Sequence, residues 1–175
     1  MDAQSIAEQL KNVCGEKDAR EIYEEVKSSG DFQGFTSQFI HNADDRVVRN
    51  VFWVLTKASD KELSQIQEML NELIDLAMQT ESSSVRRLCL NIVERLKMEE
   101  ENLMTNFLNF CFEHFLNVEE FSGIQAVCMK LAFRMCKFYP ELTEELKRTL
   151  EAMEIDYYKP AVKSLRNRIL SGRFS

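Results

Sequence analysis

Apolar side chains recur along this chain with the spacing of helices that bury one broad face. From Val85, offsets of 3, 4, 7, 8 and 11 reach Leu88, Cys89, Ile92, Val93 and Leu96, all apolar. Such positions share one face at 3.6 residues per turn. The same offsets give Val48, Val51, Phe52, Leu55, Thr56 and Ser59 upstream, and Ile124, Val127, Cys128, Leu131, Ala132 and Met135 downstream. A weaker match runs Tyr158, Ala161, Val162, Leu165, Arg166 and Ile169. The anchors Val48, Val85, Ile124 and Tyr158 are 37, 39 and 34 residues apart, steps that suit a unit of two helices. The pattern predicts an all-α fold, an α-α superhelix of about four helix pairs behind an N-terminal helical cap.

Boundaries follow from breakers and caps. Two short helices are expected at 5–13 and 18–28, broken at Gly15 and Gly30, and residues 1–30 are assigned as the cap. The repeats occupy 31–175, with outer helices at 32–41, 61–78 and 99–116 and inner partners at 44–58, 84–97 and 121–138. Asp44 can accept a bond from a first-turn N–H. Ser59 and Glu62 have capping-box spacing. Pro140 opens a fourth outer helix, because proline at the first helical position loses no hydrogen bond. The last helix starts near Tyr158 with Pro160 in its first turn. Short connections and the absence of a low-complexity linker favour a single domain, 1–175.

The stretches SSSVRRLCLNIVERL and DDRVVRNVFWVLTKA resemble the second helix of a HEAT-type repeat, of the armadillo/HEAT class. Each has a polar turn, then Val-Arg, then apolar residues at helical spacing. The resemblance implies that first helices form a convex face and second helices a concave one. It also implies that the Arg after Val, here Arg49 and Arg86, pairs with an acid such as Asp44 or Asp45. Gln125 and Lys159 stand at that position in the third and fourth units, which departs from a continuous ladder. HEAT-like proteins are mostly scaffolds for peptides or proteins, although a few grip DNA.

Composition narrows the reading. Five Gly and two Pro among 175 residues leave little material for the turns of a β-sandwich. A net charge of −7 opposes general adhesion to nucleic acid or anionic membrane. That total conceals segregation: 99–120 carries six Glu and no Lys or Arg, whereas the inner helices carry Arg86, Arg87, Arg95, Lys130, Arg134 and Lys137. A basic concave face against an acidic convex one would attract an acidic protein segment. Arg49, Trp53, Arg86, Arg87, Lys130 and Arg134 are the candidate contacts. The same charges also fit the wet sides of ordinary amphipathic helices. Trp53, Leu90 and Met129 share offset 5 and make either an apolar strip along the groove or packing between repeats.

Candidate chemistry is sparse. Cys111 and His114 would supply half a zinc site, with no second ligand pair of that quality. Neither a phosphate-binding glycine loop nor an oxyanion loop is evident. No catalytic residue, cofactor or metal is therefore expected. The alternative is a HEAT-like nucleic-acid-binding protein or DNA glycosylase, for which only Asp44, Asp45 and Glu94 are acids on inner helices; a subunit of a larger assembly is a third reading. An odd count of five Cys, with Cys89 and Cys128 at apolar positions, suits reduced thiols. The opening MDAQSIAEQLKNV lacks a signal-length apolar core, and no run approaches the ~20 apolar residues of a membrane span. The expected location is cytoplasmic. The pattern fixes neither oligomeric state nor partner.

Overall fold

A computed structural model describes residues 3–175; Met1 and Asp2, the first positions of the expected cap, lie outside the described residues. The described residues contain helices and turns and no strand. The chain divides into two compact units, 1–97 and 98–175.

In the first unit, α1 (Ala3–Lys11) and α2 (Glu16–Ser29) precede α3 (Phe32–Phe39) and α4 (Asp45–Leu55). Gly30 ends α2 at φ 73°, a left-handed conformation natural to glycine, and its N–H closes onto the Val26 and Lys27 carbonyls. Asp44 caps α4 by accepting from Arg46 N–H at 2.9 Å, as its position predicts. The Ser59–Glu62 capping box forms in both directions, but it starts only α5 (Asp60–Leu63). The helix expected over 61–78 is interrupted by a 3-10 stretch, Ser64–Met69, before α6 (Leu70–Gln79). Two glutamines of that stretch tie it to its surroundings. Gln65 Oε1 accepts from Phe32 N–H at the start of α3, and Gln67 exchanges two bonds with the Lys97 backbone at 2.8 Å each. The unit closes with α7 (Ser83–Arg95).

Helices α4 and α7 pack against each other, α6 packs against α7, and α1 and α2 lie against α4. All six positions of the Val85 set are buried. Of the Val48 set, Val48, Val51, Phe52 and Leu55 are buried, Thr56 is half-buried and Ser59 exposed. Asn50, fully buried, donates from Nδ2 to the Leu10 carbonyl at 2.6 Å and accepts from Arg49 Nε at 3.1 Å. One amide thus closes the C-terminal turn of α1 onto α4.

The second unit holds α8 (Thr105–Leu116), α9 (Ser122–Cys136), α10 (Pro140–Ala152) and α11 (Pro160–Leu170). Short 3-10 turns, Glu100–Asn102 and Ile155–Tyr157, precede α8 and α11. The helix expected over 99–116 therefore begins only at Thr105. Helix α9 is central, packing on α8, α10 and α11. Its whole offset set, Ile124 to Met135, is buried. In α11 the weaker set is mixed: Val162, Leu165 and Ile169 are buried, Ala161 exposed and Arg166 half-buried.

Substituting Ile92→Ala, fully buried in α7, should cost about 2–5 kcal/mol in urea unfolding. Asn50→Ala should cost about 1–3 kcal/mol by stranding the Leu10 carbonyl. A neutral result for Ile92→Ala would contradict the helix register.

Candidate functional site

Inner helices α4 and α7 are buried on most of their surface. Among the positions left half-buried or exposed are Arg49 and Trp53 on α4 with Thr56 at its C-cap, and Ser84, Arg87 and Asn91 on α7. Together with Val13, Cys14 and Glu16 from the α1–α2 turn and with Leu88, these side chains line a notch of about 630 Å³. Three of the expected site residues, Arg49, Trp53 and Arg87, thus meet in one place. Arg87 is exposed and has no hydrogen bond or ion pair among the described residues. Arg49 spends Nε on Asn50 Oδ1 and forms no ion pair among the described residues.

Glu16 reaches the notch from a segment that the sequence pattern did not connect with it. Its carboxylate accepts from Trp53 Nε1 at 2.9 Å and pairs with Lys57 Nζ. Both contacts favour the charged form, with Lys57 the largest influence, so the carboxyl sits below the usual glutamate range. Lys57 neutralises Glu16, which leaves Arg49 and Arg87 as the formal charge of the notch.

The other expected residues lie elsewhere. Arg86 is not a groove residue: its guanidinium is half-buried and donates to the Ala77 carbonyl at 2.9 Å and the Thr80 carbonyl at 2.5 Å. It satisfies acceptors at the C-terminal end of α6, where a cation is favoured by the helix dipole. Asp44 does not reach Arg49, because it pairs with Arg46 at 2.8 Å. Gln125 performs the Arg86 task in α9, donating to the Asn117 carbonyl at the end of α8 at 2.7 Å. A side-chain-to-carbonyl cap thus recurs at Arg86 and Gln125. Lys130 and Arg134 are half-buried on α9, in the second unit.

The apolar strip at offset 5 does not form. Leu90 and Met129 are fully buried and only Trp53 is partly accessible. A large aliphatic side chain at that offset is drawn into the packing, whereas the Trp indole keeps its N–H at the wet edge.

Nor do the reactive groups assemble. Cys111 is buried in the core, its thiol pushed well up by burial and by the Cys128 thiol. His114 turns instead to Glu120, at 2.7 Å. Burial pushes the Cys136 thiol up to about 12. Cys14, exposed at the notch, donates from its thiol and its N–H to Asp18 Oδ2, and that carboxylate raises its pKa. Such thiols remain protonated and are poor nucleophiles. Among the described residues no group of three His, Cys, Asp or Glu could hold a metal. The acids named for a glycosylase do not line the notch. Asp44, moreover, is held at about 2 by the Arg46 side chain and backbone N–H, too weak a base for proton abstraction near neutrality.

A family model described as HEAT repeat domain matches residues 6–173. No curated protein and no solved structure matches the chain. Among the described residues no helix is long and apolar enough to cross a membrane.

The adjacent arginines of α7 should separate cleanly in a stability measurement. Arg86→Ala should destabilise the chain by about 1–3 kcal/mol, since it strands carbonyl acceptors. Arg87→Ala should stay within about 0.5 kcal/mol of the parent. Equal urea midpoints for the two variants would contradict the capping role.

Proposed function

The chain belongs to the HEAT repeat domain family, and on that premise we propose that it is a non-catalytic interaction module holding an acidic segment of a protein partner on its inner helices. HEAT repeats commonly mediate protein interactions, and the family is typically one of non-catalytic scaffolds. The observation that carries the finer reading is the notch between α4 and α7, where Arg49 and Arg87 lack acid partners beside a half-accessible Trp53.

Each part has a physical role in this reading. A guanidinium grips a carboxylate through paired N–H donors, and a recess screens that pair less than open water does. Trp53 adds apolar area at small conformational cost, and Trp and Arg dominate binding energies at interfaces. Lys130 and Arg134, four residues apart on one face of α9, supply a second basic patch for the same kind of segment. Nucleic acid fits less well, because a chain of net charge −7 would repel the phosphates beyond any local patch. The 1–175 chain acting as a single domain, and its residence in the cytoplasm, belong to the same proposal. Free cysteines suit a reducing compartment.

A labelled peptide alternating glutamate with leucine should bind, and added salt should weaken it. The variant Arg87→Glu, at an exposed position, should bind it roughly tenfold more weakly or worse, with an unchanged circular-dichroism melt. Undiminished binding in that variant would exclude the notch.

A further inference from the structure

Five large hydrophobic side chains stand exposed among the described residues, and four of them lie on or beside two turns of the second unit. Leu116 ends α8, Val118 and Phe121 belong to the α8–α9 turn, and Tyr157 to the turn before α11, with Phe121 64% and Tyr157 67% exposed. The turns adjoin, because Tyr158 Oη donates to the Leu116 carbonyl at 2.7 Å. Scattered exposed apolar residues are ordinary, but a concentration of them marks an interaction surface.

The α8–α9 turn is held by its own hydrogen bonds. Asn117 Oδ1 accepts from Glu119 N–H at 3.0 Å, Glu120 Oε1 accepts from Phe121 N–H at 2.9 Å, and Glu120 Oε2 holds His114. Val118 and Phe121 are therefore displayed by an ordered backbone, which lowers the entropy cost of docking onto them.

The charge around these side chains selects the occupant. Glu119, Glu154 and Asp156 are exposed and have no side-chain partner among the described residues. Across 117–121 and 153–159, Lys159 is the only base. Carboxylates beside open aromatic faces suit an arginine or lysine, which pairs with the acids and stacks its cation on the rings. We propose that this edge of the second unit is a docking surface for a basic peptide segment carrying an apolar side chain. Phe121 and Tyr157 act as its anchors, and Glu119, Glu154 and Asp156 as its charge filter. The surface is opposite in sign to the α4–α7 notch and lies in the other unit, so the two bindings fail independently.

The test is fluorescence anisotropy with the full chain and a labelled peptide alternating arginine with leucine, compared with its glutamate–leucine counterpart. The arginine peptide should bind the second unit, and Phe121→Ser with Tyr157→Ser should weaken it roughly tenfold or more. Reversing the acids with Glu154→Lys and Asp156→Lys should weaken it too, most at low salt. All four side chains are exposed, so the variants should keep the parental melt, and the glutamate peptide should bind them as it binds the parent. Three results would overturn the proposal. They are no arginine-peptide binding, binding indifferent to both double variants, or a sedimenting dimer split by Phe121→Ser with Tyr157→Ser, which would make a second copy of this chain the occupant.

Discussion

An inner helix of this fold must bury side chains on more than one face, and the remaining solvent strip is narrow. Helix α4 shows the constraint directly. Val47, Val48, Asn50, Val51, Phe52, Val54 and Leu55 are all buried, because α1, α2, α3 and α7 pack around them. Only positions spaced three or four apart from Arg46 onward keep contact with water. Helix α7 repeats the arrangement with Ser84, Arg87 and Asn91. The candidate site draws on those rows, which is why a few side chains define it.

The same tight packing creates a second demand, since helix ends buried beside neighbours leave carbonyls without partners. Arg86 on α6, Gln125 on α8, Arg166 on the Leu150 carbonyl of α10 and Asn50 on α1 each answer it with a side-chain donor. These residues look like surface polar groups in a linear sequence. Their work is structural, and it explains why a charge beside the apolar stripe need not belong to a binding face. One position along α7, between Arg86 and Arg87, separates a guanidinium spent on backbone carbonyls from one without a partner.

The inner helices were legible in the sequence because their burial repeats with the helical period over three turns, and 3.6 residues per turn allows few registers. Caps at Asp44, Ser59 and Pro140 were legible because they depend on neighbours in the chain. Interactions between distant segments were not. Trp53 meets Glu16 across 37 residues, and no local pattern announces that pairing. The 3-10 interruption at Ser64–Met69 also escaped, since its glutamines answer to Phe32 and Lys97, about thirty residues away on either side. At the site, Arg49, Trp53 and Arg87 were nameable as candidate contacts, whereas their meeting in one notch and the fate of Arg86, Leu90 and Met129 depended on tertiary neighbours.

The notch offers its own reporter, because Trp53 is the only tryptophan in the chain and its indole N–H rests on Glu16. The most direct measurement is Trp53 emission during titration with an unlabelled acidic peptide that contains no tryptophan. If the segment enters between Arg49 and Arg87, emission should change saturably with the peptide, and the change should vanish in Arg87→Glu. Peptide binding that leaves Trp53 emission untouched would place the ligand elsewhere and contradict the account.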